Sequence, residues 1–267
     1  MKLTVGPRSA GFILAICIVL FTTVMPCLAQ QASERELKQA NNPLANFKAF
    51  NVHNYWIPEL YGLPDESANR TWLRFVVPVD RWIIRASAPL PTVPTAEADS
   101  KSGLGDINAF AAYLLTDPSK PRQFGVGPLL VAPTATDDAL GSGKWQGGAA
   151  AVLFDATSPQ IQWGGLLTWQ GSFAGDDDRE DTSLLVAQPF AMFQLGKGTY
   201  LRSAASWTFD LENDDYNVPI GFGIGKILKV DKTVFNIFVE PQFTVLHRGV
   251  GQPALQIFAG LNMQFTK

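Results

Sequence analysis

Apolar and polar residues alternate along most of the chain with the two-residue period of a β-strand. In residues 253–265, every second residue from Leu255 to Phe265 is apolar, and the residues between them are mostly polar or small. No apolar period of 3.6 residues is sustained over a helical length after residue 46. The pattern therefore predicts an all-β protein.

The same alternation predicts twelve strands. We place them at residues 47–57, 71–78, 82–91, 104–116, 122–134, 146–156, 160–173, 182–195, 199–211, 216–228, 232–246 and 253–265.

The connections between these strands alternate between longer polar loops, such as 92–103, and tight turns, such as 79–81. This alternation is typical of an up-and-down barrel that crosses an outer membrane, with short periplasmic turns and longer outside loops. Lipid offers backbone groups no hydrogen-bond partner, so a sheet that crosses it must close on itself. We predict a single antiparallel up-and-down transmembrane β-barrel of twelve strands over residues 47–267.

Six prolines lie inside the predicted strands, where proline cannot donate a ladder hydrogen bond. We expect bulges or adjustments on the lumen side at these positions, which are Pro78, Pro89, Pro128, Pro189, Pro219 and Pro241.

The amino-terminal region has the features of an export signal. Lys2 and Arg8 precede or border an uncharged apolar stretch over residues 11–25, and small residues follow at cleavage spacing. We predict a signal peptide over residues 1–29, with a retained anchor helix as the alternative, and a disordered periplasmic lead-in over residues 30–46. Export of this kind directs a barrel to the outer membrane of a Gram-negative cell.

Composition narrows the class of protein. A mean hydropathy of +0.06 excludes a helical protein with several membrane spans. The net charge of -3 leaves no basic excess for a phosphate backbone, so we expect no nucleic-acid partner. Both cysteines, Cys17 and Cys27, lie in the predicted signal peptide, which removes thiol chemistry from the mature chain.

Several short motifs are shared with a known family. They are Gly-Leu-Gly-Asp-Ile at 103–107, Gly-Val-Gly-Pro at 125–128, Pro-Thr-Ala-Thr-Asp-Asp at 133–138, Gly-Ser-Gly-Lys-Trp at 141–145, Ser-Phe-Ala-Gly-Asp at 172–176, Gln-Pro-Phe at 188–190 and Val-Pro-Ile at 218–220. With them the chain resembles, over about residues 42–265, the bacterial outer-membrane barrel family named for the meta-cleavage pathway of phenol degradation. The resemblance implies a transporter and a hydrophobic or aromatic solute, and it brings no catalytic residues.

Charged and amide side chains on the non-lipid phase of the strands are the candidate lumen lining. Inside a barrel they can set the ion preference of a pore, or they can form structural ion pairs that fill a narrow interior; the sequence leaves both open. The candidates are Arg74, Arg85, Gln162, Gln170, Arg202, Asp210 and Glu240.

An acidic run over residues 176–181 could bind a divalent cation, or it could bridge to lipopolysaccharide phosphates through such ions. Its spacing matches no calcium-binding loop, so we predict a solvated loop and no metal site. His53 and His247 are the chain's histidines, and neither lies in a nucleophile motif. Gly221, Gly223 and Gly225 lack a P-loop lysine pattern and are interpreted as lumen-face glycines. We therefore expect no catalytic residue and no cofactor.

The sequence thus favours a passive channel for small solutes. The alternatives are an outer-membrane lipid-modifying enzyme and a closed structural or adhesive barrel. Outer-membrane lipids and lipopolysaccharide are the expected surroundings. Phe265, close to the end of an alternating strand, resembles the terminal signal read by the barrel-assembly machinery, although Thr266 follows it.

Overall fold

The computed structural model describes residues 32–95 and 99–266. Within those ranges it contains a short helix, α1 (Glu34–Gln39), a 3-10 helix (Asp138–Leu140) and fifteen strands. The strands are β1 Lys48–Leu60, β2 Ala68–Val79, β3 Trp82–Pro94, β4 Ser100–Ser102, β5 Ile107–Leu114, β6 Arg122–Ala132, β7 Lys144–Asp155, β8 Ile161–Gly175, β9 Ser183–Gly196, β10 Thr199–Ser203, β11 Trp207–Asp210, β12 Asp215–Gly221, β13 Gly223–Val230, β14 Thr233–Arg248 and β15 Pro253–Phe265.

These strands form one closed antiparallel barrel, because β15 pairs with β14 on one side and with β1 on the other. The wall has twelve strand positions, so the predicted fold is confirmed. Three positions are each occupied by two strands in line: β4 with β5, β10 with β11, and β12 with β13. The predicted continuous strands over 199–211 and 216–228 were therefore wrong in this respect. The predicted strand over 104–116 corresponds to β5 alone, and β4 lies in the segment predicted as the loop 92–103.

The strand prolines explain where the wall is interrupted. Pro89 lies beside the break between β4 and β5, Pro189 beside that between β10 and β11, and Pro241 beside that between β12 and β13. At such a break the neighbouring strand offers no regular ladder acceptor, so the missing proline N–H is tolerated. Pro219 sits at a register shift, as expected for a bulge. The two remaining prolines lie in regular pairings with one neighbouring strand. Pro78 is in register with β3, and Pro128 is in register with β7.

The outer face of the barrel is apolar, whereas the interior holds buried polar side chains together with two apolar clusters. On β14, Asn236, Glu240 and Gln242 point inward and are at most 1% exposed. Phe243 and Val245 on the outer face of the same strand are more than half exposed. This inverts the arrangement of a water-soluble barrel and is the pattern of one surrounded by hydrocarbon.

The two ends of the barrel differ. At the end we call the turn end, β2 is joined to β3 through residues 80–81, β9 to β10 through 197–198 and β13 to β14 through 231–232. The opposite, loop end carries longer connections, including 133–143. The two ends are not strictly sorted by the length of their connections, because the 115–121 connection at the turn end is as long as the 61–67 connection at the loop end.

The segment predicted as a disordered lead-in is folded where the structure describes it. Ser33 caps α1 by accepting from the Glu36 N–H, while the Glu36 carboxylate accepts from the Ser33 N–H. Two further turns lead to β1. In the described part of the chain, no helix is long and apolar enough to cross a membrane. The predicted signal peptide, residues 1–29, lies outside the described residues.

Candidate functional site

Residues 32–47, which we call the N-terminal plug, occupy the lumen at the turn end. Side-chain amides on opposite parts of the wall hold the plug. Asn42 donates to Gln123 Oε1 at 3.0 Å, and Asn236 Nδ2 donates to Asn41 Oδ1 at 2.8 Å. Further contacts reach the plug backbone, from Asn236 to Ala40 O at 3.1 Å, from Gln264 to Gln39 O at 3.2 Å and from Gln162 to Lys38 O at 3.3 Å.

Apolar side chains fix the plug as well. Leu44 is 1% exposed and belongs to a core cluster with Ile83, Leu114 and Val152 on three strands of the wall. On the other side, Ala40 packs in a cluster that includes Tyr200, Ile227 and Val234. Burying these groups removes apolar surface from water and favours the docked plug.

One ion pair joins α1 to the wall. Lys229 Nζ donates to Glu36 Oε1 at 2.7 Å. Burial raises the pKa of the Glu36 carboxyl, but hydrogen bonds from Lys229 and Ser33 outweigh it, so the pKa lies below its ordinary value.

Two cavities occupy the lumen above the plug. The inner cavity, about 160 Å³, is bounded by the plug and by mid-barrel residues including His53 and Arg202. The outer chamber, about 600 Å³, opens towards the loop end. Arg74 and Arg85 line both, so they stand at the boundary between the cavities.

Arg202 and Glu240 form a buried pair beside the inner cavity. Arg202 Nε donates to Glu240 Oε2 at 2.7 Å, and the other carboxylate oxygen accepts from the Ala204 N–H at 2.9 Å. Gln242 also donates to Glu240 and accepts in turn from Gln256. The negative charge of Glu240 is thus compensated by the Arg202 guanidinium and by the hydrogen bonds from Ala204 and Gln242.

His53 stands against Arg74. A guanidinium can only donate, so His53 Nδ1 accepts from Arg74, and His53 Nε2 donates to Asn262 Oδ1 at 2.7 Å. Both ring nitrogens are therefore engaged, and the imidazole is in its neutral form. His247 is exposed at the loop end, where its ring stacks on Tyr61.

The remaining lumen candidates serve different parts of the barrel. Gln162 is buried against the plug, and Gln170 lines the outer chamber and donates to Gln146 at 2.7 Å. Asp210 instead caps the loop-end turn, accepting from the N–H groups of Glu212 and Asn213. The structure thus brings Arg74, Arg85, Arg202 and Glu240 to mid-barrel and leaves Asp210 at the rim.

The acidic run at 176–181 is tied to neighbouring loops. Arg179 donates to Gly141 O at 2.6 Å and to Asp138 O at 2.8 Å. Hydrogen bonds from Ser172 and Lys144 hold the pKa of Asp181 below its ordinary value. Among the described residues, no three acidic or histidine side chains come together as a metal site would require.

The plug was not predicted from the sequence, and neither was Arg70, which lines the outer chamber. Arg70 shares the strand phase of Arg74 and could have been found by extending the predicted strand backwards. Within the polar lead-in, the apolar residues Leu37, Ala40 and Leu44 were the available signal of a buried face.

No protein-family model and no curated protein matches the chain. Among solved structures, an outer membrane channel from Pseudomonas putida F1 is similar with a TM-score of 0.58 at 14% sequence identity, covering 83% of this chain and 97% of that one. The NanC porin is similar with a TM-score of 0.53 at 9% identity, covering 82% and 100%. At these identities the likeness establishes a shared barrel fold, one found among outer-membrane porins and channels.

Proposed function

We propose that this chain is an outer-membrane β-barrel that conducts small solutes passively through its lumen. The observation that carries the proposal is the outer chamber of about 600 Å³, lined by polar and apolar side chains within an apolar wall. Short turns face the periplasm in barrels of this class, so the N-terminal plug stands at the periplasmic end and restricts passage.

A hydrophobic or aromatic solute is the finer part of the proposal. It is supported by the resemblance to the phenol-pathway family and by apolar groups in the chamber, which include Tyr55, Trp72, Leu129 and Leu166. Rings and branched side chains provide a surface that such a solute can contact on its way through.

Biogenesis completes the proposal. Residues 1–29 act as the export signal, the barrel-assembly machinery inserts the folded chain, and lipopolysaccharide surrounds the loop end. The proposed channel needs no covalent chemistry, so we expect lipid turnover to stay at background both in the wild type and in H53N/H247N, which removes both imidazoles.

The test is conductance and permeation with the purified full chain. Planar bilayers give single-channel events, and liposome swelling with sugars and phenols gives solute preference. The matched variants are a deletion of residues 32–45, which removes all of the plug except the last two residues before β1, and D178N, which changes charge in an exposed loop. We expect conductance in the wild type, a larger conductance in the deletion variant and no change in D178N. No open events and no swelling in either the wild type or the deletion variant would overturn the proposal in favour of a closed structural barrel.

A further inference from the structure

The charges that line the lumen do not balance. Arg70, Arg74, Arg85 and Arg202 line the inner cavity or the outer chamber, and no Asp or Glu among the described residues lines either one. Glu240, behind the lining, pairs with Arg202. The other three arginines take part in none of the salt bridges found in the described ranges.

Three hydrogen-bond donors at the cavity boundary lack an acceptor in the described structure. They are Arg74 Nε, Arg85 Nε and the hydroxyl of Ser87, and all three atoms are buried. Ser87 is only 3% exposed and lines the outer chamber. A buried donor without an acceptor destabilises the folded protein, so this region gains from a ligand that supplies oxygen atoms.

The three donors share one face of two adjacent strands. Arg74 on β2 lies directly opposite Ser87 on β3, and Arg85 is two residues away on the same face of β3. Diagonal neighbours of this kind stand about 7–8 Å apart at Cα, within reach of long side chains. Two guanidinium groups and a hydroxyl at this spacing suit the two oxygens of a carboxylate.

The surroundings suit an organic body attached to that carboxylate. The Arg85 guanidinium lies 4.4 Å from the centre of the Phe110 ring, and that of Arg74 lies 5.0 Å from the Trp72 ring. Leu129 and Leu166 add apolar surface in the outer chamber. A ligand with a carboxylate beside the two arginines and a flat apolar part against the rings and leucines would match both the charged and the apolar surfaces of this region.

We propose that Arg74, Arg85 and Ser87 form a binding site for organic monocarboxylates at the boundary between the outer chamber and the inner cavity. The inference rests on the proposed channel and names the solute class that it selects. All three residues line the outer chamber, so a ligand in that chamber can contact them with the plug in place.

Direct binding tests the site without any need for conductance. Benzoate is titrated calorimetrically into the detergent-solubilised full chain, with benzamide as the neutral isostere and inorganic phosphate as an anion without an apolar body. We expect benzoate to bind at least about tenfold more tightly than either. In R74Q/R85Q its affinity falls by on the order of tenfold to a hundredfold. R74K/R85K, which keeps the charge and loses the guanidinium fork, retains part of the affinity and shows whether the site tolerates substitution.

The control is R248Q at the exposed loop rim, which should bind benzoate as the wild type does. Equal affinities for benzoate and benzamide, or full benzoate affinity in R74Q/R85Q, would overturn the site. Tighter phosphate binding would replace it with a site for inorganic anions. Reversal potentials in a KCl gradient separate the two proposals: conductance without anion preference contradicts the site alone, and binding without conductance contradicts the channel alone.

Discussion

Arg202 and Glu240 meet across an intervening strand. Arg202 lies on β10 and Glu240 on β14, and β13 runs between them. Gly223 of β13 is paired with Arg202, and a Cβ at Gly223 would stand 2.7 Å from the Glu240 Cβ. Because glycine has no side chain, the guanidinium crosses β13 and reaches the carboxylate at 2.7 Å. The same carboxylate accepts from Ala204, which lies at the break between β10 and β11.

This pair gives the first prediction. E240Q leaves the Arg202 charge buried without a counter-charge, and removing one partner of a buried pair typically costs about 3–5 kcal/mol. We expect the free energy of unfolding in urea, followed by tryptophan fluorescence in lipid vesicles, to fall by about 3 kcal/mol. D214N breaks the exposed pair with Arg248 and serves as the control, with little change expected. Equal stability of E240Q and the wild type would show that water in the lumen solvates the Arg202 charge and that the ion pair does not stabilise the fold.

How far the sequence predicts this molecule depends on the range of the interaction. The two-residue period identified the barrel and the inward phase of Arg202 and Glu240, because strand alternation is a local property. It could not pair them, since their contact needs β13 to lie between their strands and to carry glycine at 223. The plug is also non-local: Asn42 bonds Gln123, 81 residues away. A segment held by such contacts appears as a polar linker in the sequence.

The second prediction concerns the fit of Tyr200 over β13. Tyr200 is fully buried, its hydroxyl donates to Asn236 at 2.6 Å, and a Cβ at Gly225 would stand 2.2 Å from its ring. G225A must displace the ring or the strand, at a cost of about 1–3 kcal/mol of unfolding free energy. G165A is the matched control, because the nearest atom to its new Cβ would be 3.6 Å away. The urea unfolding experiment compares the free energies of unfolding of the two variants. A G225A variant as stable as G165A would contradict the close packing of Tyr200.

The third prediction is a pH dependence of the plug. Hydrogen bonds from Lys229 and Ser33 outweigh the effect of burial and keep the pKa of Glu36 below its ordinary value of 4.5. A group with a depressed pKa in the docked state contributes its stabilisation above its undocked pKa and loses it as pH falls through the docked one. Docking of the plug should therefore be pH-independent from neutrality down to about pH 5 and weaken below 4.5. In planar bilayers this appears as a rise in open probability on acidification.

Two variants assign that rise to the Glu36–Lys229 contact. E36Q removes the charge at every pH, so its open probability at pH 7 should already exceed that of the wild type and change less on acidification. K229M removes the partner and should likewise open more at pH 7, because the remaining Ser33 hydrogen bonds stay within the plug and do not tie α1 to the wall. K120M alters a lysine in the 115–121 turn without touching the plug ion pair and should follow the wild-type curve. Identical pH curves for E36Q and the wild type would locate the acid response elsewhere in the barrel.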